Sequence, residues 1–180
     1  MPSFGPERPR LLIVGLAPGL KGANRTGRPF TGDGAGQLLY PTLLKFGWAT
    51  GIYGAAPDDG LSLVGCRIAN AVRCVPPENK PTGPETATCR QFLRPEIDAL
   101  PDGTAVVALG KVAHDSVLVA TGRRVSAAKF GHGNRHPLDR GITLHDSFHC
   151  SRYNTNTGRL TTNMFEDVFQ KLSTAIKTTS

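Results

Sequence analysis

The sequence predicts an α/β fold, a three-layer α/β/α sandwich around a central four-stranded parallel sheet. Two short apolar runs, residues 11–16 and 104–109, are interpreted as buried strands, and segments 66–75 and 142–148 as two further strands. Stretches with helical periodicity separate them, and this alternation is typical of a parallel sheet covered on both faces. The chain has 180 residues, 39% of them hydrophobic and 19% charged, which is enough for one domain with a substantial core.

The four predicted strands span residues 11–16, 66–75, 104–109 and 142–148. Three polar segments lie at or near strand ends: the loop 17–32 after the first, Asn70 within the second, and the stretch that begins at His149 after the fourth. Because ligands bind beyond the carboxyl ends of the strands in such sheets, we expect these three segments to converge on one site.

The predicted helices lie between the strands and span residues 33–46, 84–100, 111–120 and about 159–176. Since proline removes a helical hydrogen bond, we expect Pro41 to break the first helix into two pieces and Pro95 to kink or restart the second. The segment 50–65 is interpreted as a loop. No repeat or linker is evident, so we expect a single domain over residues 1–180.

Composition and charge exclude several protein classes. No apolar run approaches the roughly 20 residues of a membrane helix, and the N-terminal residues lack the apolar block of a secretion signal. Four cysteines are too few for a disulfide scaffold, so we expect a cytoplasmic protein that does not bind membranes. The net charge of +7 includes 14 Arg and 7 Lys and fits either a nucleic-acid partner or plain solubility.

Five motifs together resemble one known family. They are GLAPG at 15–19, GANRTGRPFTGD at 22–33, NAVRCVPPENKP at 70–81, ALGK at 108–111 and HCSRYN at 149–154. The chain resembles the uracil-DNA glycosylase superfamily, and within it the type-5 branch of broad-specificity iron–sulfur enzymes from bacteria and archaea. The resemblance implies a base-excision repair hydrolase that flips uracil out of DNA and hydrolyses its N-glycosidic bond, leaving an abasic site.

The substrate-binding residues implied by this resemblance are Gly15, Ala17, Phe30, Asn70 and Ser151. The carboxamide of Asn70 offers a donor and acceptors for the N3–H and O4 edge of uracil. Phe30 would stack on the flipped base. Without the resemblance, the alternative interpretations are that the Asn70 amide satisfies strand-end backbone and that Phe30 packs in the core.

The expected catalytic residues are His149, Asn24 and Asn154. The imidazole of His149 would donate a hydrogen bond to the negative charge that develops on O2 of the leaving base. In several other branches position 17 carries a carboxylate or amide that activates water, and Ala17 cannot do this. We therefore expect Asn24 to position the water, with Asn154 contributing, and rank Asp33 lower because it heads a helix and is interpreted as an N-cap.

The resemblance also places the loops 75–81 and 151–158 against DNA. The expected partner is single- or double-stranded DNA that contains uracil or another deaminated base such as hypoxanthine, bound by a monomer. No lysine on these motifs is placed as an amine nucleophile, so strand cleavage is not expected. The DNA-binding residues implied by the resemblance are Lys80, Lys111, Arg152 and Tyr153.

The cysteines indicate an incomplete iron–sulfur site. Iron–sulfur members of the superfamily hold a 4Fe-4S cluster on four Cys thiolates. Cys74 and Cys89 match the second pair of ligands, whereas the first pair normally precedes the first strand, and no cysteine precedes Leu11. Cys66 and Cys150 lie in other motifs. We therefore expect no intact cluster in these 180 residues and an N-terminal segment that is missing.

Several alternatives stay open. A catalytically impaired DNA-binding relative and a type-4-like, uracil-specific glycosylase fit the same motifs. The histidine pairs 132/136 and 145/149 have the spacing of zinc ligands, but that spacing binds zinc on a helix, and the second pair lies on a predicted strand. A nucleotide-binding protein that uses GLAPG as a phosphate loop is disfavoured because the GK[ST] and GxGxxG patterns are absent.

Overall fold

Strands and helices alternate along most of the chain, so the predicted α/β class is confirmed. A computed structural model describes residues 1–178, the side chains of Asn79 and of residues 175–178 excepted. Its strands are β1 (Leu11–Gly15), β2 (Ala49–Thr50), β3 (Ser62–Leu63), β4 (Cys66–Asn70), β5 (Ala105–Leu109), β6 (Arg135–Pro137) and β7 (Thr143–Ser147). Its helices are α1 (Ala23–Thr26), α2 (Gly36–Lys45), α3 (Gly83–Asp98), α4 (Lys111–Ala120), α5 (Arg152–Asn156) and α6 (Thr162–Thr178).

The main sheet has five strands in the order β4-β1-β5-β7-β6. Strands β4, β1, β5 and β7 are parallel, and β6 pairs antiparallel with β7 at the edge. The expected four-stranded parallel sheet is therefore corrected to a mixed, mostly parallel sheet of five strands. The missed strand consists of Arg135, His136 and Pro137, which carry no alternating apolar pattern, and proline is tolerated in a sheet mainly at such an edge.

Helices cover both faces of the sheet, as the fully buried central strand β1 requires. Leu11 and Ile13 pack in one cluster with apolar residues of α2 and α6. Leu12 and Val14 pack in a second cluster with residues of α3 and α4. Because successive side chains of a strand point to opposite faces, this division follows directly from the continuous apolar run.

Both internal prolines lie within continuous helices, so the expected break at Pro41 and restart at Pro95 are wrong. An internal proline costs about 3 kcal/mol in a helix. In α2 the fully buried side chains of Leu39, Tyr40 and Leu43 face the core. Burial of each such side chain contributes about 1.5–3 kcal/mol, so packing on the sheet outweighs the lost hydrogen bond.

The carboxyl ends of the parallel strands meet at one edge, as expected. Gly15 at the end of β1 is paired in register with Asn70 at the end of β4, and Leu109 of β5 is paired with Ser147 of β7. Strand β4 ends at Asn70, earlier than the predicted residue 75. This edge positions the loop after β1, the Asn70 side chain and the segment after β7 next to one another.

The segment 50–65 is not only a loop, because β3 pairs there with β2 in a small antiparallel ribbon. The short helices α1 and α5 were also not predicted; each has five residues or fewer and lies within a polar motif. Among the described residues, no helix combines the length and apolar character needed to cross a membrane.

Candidate active site

A cavity of about 520 Å³ opens at the carboxyl edge of the sheet, within the range typical of small-ligand sites. The structure brings most of the predicted site residues to it. Predicted residues that line the cavity are Ala17, Phe30, Asn70, Lys80, His149, Ser151, Arg152 and Tyr153. Asp33, Glu78 and Leu16 line it as well, and of these only Asp33 is a candidate expected from the sequence.

Asn70 lies at the end of β4, beside Gly15. Its side chain is nearly buried, with 8% of the residue exposed, and its Oδ1 atom has no hydrogen-bond partner among the described residues. Because a buried amide without a partner is costly, this oxygen is a candidate contact for a ligand bound in the cavity. A Cβ atom on Gly15 would lie 2.5 Å from this Oδ1 and 2.5 Å from Cζ of Phe30, which explains the need for glycine there.

Phe30 connects the Asn70 side of the cavity to the His149 side. Its ring reaches the end of β1 near Gly15, and its centroid lies 6.0 Å from the His149 ring, with 34° between the planes. The residue is 6% exposed and has a φ of 55°. A large side chain rarely adopts this left-handed conformation, and such strain in native proteins clusters at functional sites.

His149 follows β7, and the start of α5 holds its backbone. The side-chain amide of Asn154 donates to the His149 carbonyl oxygen at 2.8 Å, and Ser151 caps the helix by accepting from the Asn154 N–H at 3.4 Å. Burial lowers the pKa of His149 to about 4. The imidazole is therefore neutral near pH 7 and presents one N–H donor and one acceptor.

Asp33 lines the cavity, whereas Asn24, the residue expected to position water, is an exposed residue of α1 outside the lining. The Oδ1 atom of Asp33 accepts hydrogen bonds from the N–H groups of Ala35 at 3.1 Å and Gly36 at 3.3 Å. Burial raises the pKa of Asp33, and these two bonds oppose the rise. Asp33 thus caps the start of α2 and also places a carboxylate at the site. Its place at the end of the GRPFTGD motif is the sequence signal that marks it.

Asn154 lies outside the cavity lining as well, because its amide is engaged with the His149 backbone. The structure thus separates the three expected catalytic residues. His149 lines the cavity, and Asn154 bonds to the backbone of His149 outside the lining. Asn24 is exposed to solvent on α1.

Three of the four expected DNA contacts lie at the cavity mouth. Arg152 and Tyr153 belong to α5, and Lys80 follows the prolines after β4. Lys111 begins α4 outside the cavity, where its Nζ lies 2.5 Å from the carboxylate of Asp115. A contact between Lys111 and a phosphate would have to compete with this ion pair.

The cysteines do not provide four ligands for a cluster. Cys66 and Cys150 are fully buried in the apolar core, and burial raises the pKa of both thiols, which opposes formation of the thiolates that bind iron. Cys74 is exposed and Cys89 is nearly buried, and both are free thiols. The described residues thus offer two suitable cysteines, Cys74 and Cys89, where a 4Fe-4S cluster needs four ligands.

Neither histidine pair considered for zinc forms a shared site. The ring nitrogens of His132 bond to backbone, with Nε2 3.2 Å from the Met164 carbonyl oxygen and Nδ1 accepting from the Phe148 N–H at 3.1 Å. His145 Nε2 lies 3.0 Å from the Thr143 hydroxyl, and burial lowers the pKa of His145 to about 4. Each ring is held by its own local partners rather than aimed at a common point.

A different group, His114, His136 and Asp146, converges away from the cavity. His114 Nδ1 lies 2.7 Å from one Asp146 oxygen, and His136 Nε2 lies 3.0 Å from the other. His114 Nε2 also lies 3.0 Å from the carbonyl oxygen of Ala128, so both of its nitrogens face acceptors. Both ring nitrogens of His114 are thus engaged by protein oxygen atoms. The group ties α4 and β6 to β7 and α4 to the segment before β6.

Comparison with known proteins agrees with this geometry. A family model described as "Uracil DNA glycosylase superfamily" matches residues 2–173. The chain is 46% identical over 171 residues to the type-5 uracil-DNA glycosylase of Thermus thermophilus, covering 95% of this chain and 78% of that protein. It is 42% identical over 173 residues to the type-5 enzyme of Mycobacterium bovis, covering 95% and 65%.

Similarity to type-4 enzymes is weaker. The type-4 uracil-DNA glycosylase of Thermotoga maritima is 36% identical over 132 residues, which cover 72% of this chain and 57% of that protein. The five sequence motifs, the cavity that residues of these motifs line, and the comparisons all agree on one family. The chain belongs to the uracil-DNA glycosylase superfamily and, within it, to the type-5 uracil-DNA glycosylases.

Proposed function

We propose that this protein hydrolyses the N-glycosidic bond of uracil in DNA, releasing the free base and leaving an abasic site. One observation carries the proposal: the amide of Asn70, the ring of Phe30 and the neutral imidazole of His149 line the same cavity at the edge of the sheet. These groups supply the three functions that base release needs, namely recognition of the base edge, stacking, and stabilisation of a leaving anion.

Asn70 recognises the base. Its amide donates to O4 and accepts from N3–H of uracil, which supplies the partner that Oδ1 lacks among the described residues. Phe30 stacks on the face of the flipped ring, a contact worth about 1–3 kcal/mol per base. Ala17 and Leu16 complete an apolar lining that excludes water from these hydrogen bonds.

His149 stabilises the departing base. As the glycosidic bond lengthens, negative charge accumulates on O2 of uracil, and the N–H of a neutral imidazole donates a hydrogen bond to this oxygen. The low pKa of His149 ensures that the ring carries one proton rather than two near pH 7. Asn154 orients the imidazole through the His149 backbone, so its role is positioning.

Asp33 replaces Asn24 in our proposal as the group that orients the attacking water. Its carboxylate lines the same cavity as His149. The sugar develops cationic character as the base leaves, and a carboxylate stabilises this charge as well as holding the water. Ala17 supplies neither function.

DNA binds across the cavity mouth. The net charge of +7, with Lys80 and Arg152 at the rim, favours the phosphate backbone. The exposed ring of Tyr153 is placed to fill the gap that a flipped nucleotide leaves in the stack. The ammonium of Lys80 is exposed and 4.0 Å from Glu78, unlike the desolvated lysines that form Schiff bases, which supports release of the base without strand cleavage.

The proposal is tested with duplex and single-stranded DNA that each contain one uracil. The amounts of free uracil released and of abasic sites formed are measured. We expect release from both substrates, with a single-turnover rate about 100-fold to 1,000-fold lower in His149→Ala. His149→Gln keeps an N–H donor and should retain more activity than His149→Ala. Tight binding without abasic product would instead support a catalytically impaired relative.

Breadth of substrate is measured with the same assay. The absence of a polar side chain at Ala17 supports acceptance of other deaminated bases, so we propose activity on hypoxanthine as well as uracil. Release of uracil with no release of hypoxanthine would favour the type-4-like alternative. The monomeric state, the cytoplasmic location and the extent of the domain over residues 1–180 stay predictions.

A further inference from the structure

A buried ion pair lies behind the cavity and does not line it. The guanidinium of Arg28 contacts the carboxylate of Asp59 through two bonds of 2.9 and 2.7 Å, and each side chain is only 5% exposed. Asp59 also accepts from the N–H groups of Gly54 at 2.9 Å and Leu61 at 3.0 Å. The pair therefore fastens the segment that precedes β3 to the loop that carries Phe30.

Aromatic rings enclose this pair. The guanidinium carbon of Arg28 lies 5.3 Å from the ring centroid of Tyr40 and 6.0 Å from that of Tyr53, and the two tyrosine rings stack at 4.6 Å. The guanidinium Nε also donates to the Thr31 hydroxyl at 2.7 Å. When the N–H groups of a guanidinium are hydrogen-bonded and aromatic rings pack against its plane, the side chain is held in a single orientation.

The same tyrosines bond to the backbone of Phe30 and its neighbour. The hydroxyl of Tyr40 donates to the Pro29 carbonyl oxygen at 2.5 Å, and the hydroxyl of Tyr53 donates to the Phe30 carbonyl oxygen at 3.3 Å. A Cβ atom at Gly36 would collide with that carbonyl oxygen, so α2 also presses against the loop. These contacts surround Phe30. Among the residues assigned to base binding, Phe30 is the one with a left-handed φ.

We propose that Arg28, Asp59 and Tyr53 are positioning residues that hold the Phe30 ring in the orientation required for stacking on the flipped base. The inference rests on the proposed glycosylase function and extends it to residues that touch neither base nor DNA. The physical reason is preorganisation. A strained backbone conformation relaxes unless contacts with neighbouring residues hold it in place. If the Phe30 ring moves out of the stacking plane, it no longer orients the base for attack.

Single-turnover uracil release by Asp59→Asn and Tyr53→Phe tests the inference. Asp59→Asn keeps the shape and removes the charge, and we expect a rate about tenfold to 100-fold lower. Tyr53→Phe removes one hydroxyl group, and we expect a rate about threefold to tenfold lower. Affinity for undamaged duplex should stay within about twofold of wild type, because the phosphate contacts at the rim are unchanged.

Glu96→Gln is the matched control. It removes the charge from a second partly buried pair, Glu96 with Arg67 at 2.7 and 3.2 Å, which is remote from Phe30. We expect this variant to lose thermal stability while it keeps the wild-type rate of uracil release. An equal loss of rate in Glu96→Gln and Asp59→Asn would show that general destabilisation, rather than positioning, causes the effect.

A double-mutant cycle with Phe30→Leu shows whether the network acts through Phe30. We expect Asp59→Asn to slow the wild-type enzyme but to have little further effect in Phe30→Leu, so that the two effects are not additive. Additive effects, or wild-type rates in both Asp59→Asn and Tyr53→Phe, would overturn the inference while the glycosylase function stands. If Asp59→Asn does not fold, Tyr53→Phe carries the same cycle. A wild-type protein that releases no uracil would overturn both.

Discussion

Substitution of Gly15 by alanine should impair catalysis while the fold survives. The backbone of Gly15 is not left-handed, so alanine is tolerated there conformationally. Its Cβ atom would nevertheless lie 2.5 Å from both Oδ1 of Asn70 and Cζ of Phe30. Carbon atoms in contact prefer about 3.5 Å or more, so each group must move by about 1 Å.

This displacement sets the expected magnitude. A shift of about 1 Å in a positioned group costs about 100-fold in rate, and here the base-reading amide and the stacking ring both shift. Overpacking at one position costs about 1–3 kcal/mol of stability, which a domain of this size tolerates. We therefore expect Gly15→Ala to fold and to release uracil about 100-fold more slowly than wild type.

Single-turnover release of uracil and thermal unfolding measure the two effects separately. Gly83→Ala is the matched control, because it makes the same chemical change at the first residue of α3, where a Cβ atom meets nothing within 4 Å. Gly83→Ala should keep the wild-type rate. A wild-type rate in folded Gly15→Ala would refute the assignment of Asn70 and Phe30 to base recognition.

Three further predictions concern protonation and the catalytic groups. Burial lowers the pKa of His145 and of His149 from 6.5 to about 4, so between these values the unfolded chain binds more protons than the folded one. The free energy of unfolding should therefore fall as the pH drops from about 6.5 to about 4. Urea titrations measure it, and an unchanged pH slope in His145→Gln would contradict the assignment. Asp33→Asn should slow uracil release by at least about tenfold, whereas exposed Asn24→Ala should change it by less than about twofold; the opposite order would restore Asn24 as the water-positioning residue. Asn154→Ala removes the 2.8 Å bond to the His149 carbonyl and should slow release about fivefold, and no effect on single-turnover rate would show that α5 orients the histidine without it.

Local sequence patterns were sufficient for the parallel part of the sheet. The apolar runs at β1 and β5 are continuous because these strands are buried on both faces, and that composition is visible without any partner. Since the ends of parallel strands share one edge, the sequence also predicted that Asn70 and His149 approach one another. In the structure these two residues and Phe30 line the same cavity.

Sequence patterns were insufficient where a local structural preference competes with the free energy of tertiary packing. Pro41 and Pro95 signal helix breaks locally, but burial of the helix faces against the sheet outweighs the lost hydrogen bonds. Strand β6 has no apolar alternation, and its pairing with β7 is supported instead by the contact between His136 and Asp146. Neither outcome is visible until the packing partners are known.

The sequence by itself determined the family, the α/β class and the residues expected to contact the base, because these follow from contiguous motifs and apolar periodicity. Only the tertiary structure decided that Asp33 rather than Asn24 reaches the cavity, since Asn24 lies exposed on α1 while Asp33 lines the cavity wall. It alone revealed that Arg28 meets Asp59, 31 residues away, behind Phe30. Contacts between distant segments depend on chain packing in three dimensions, and no local spacing records them.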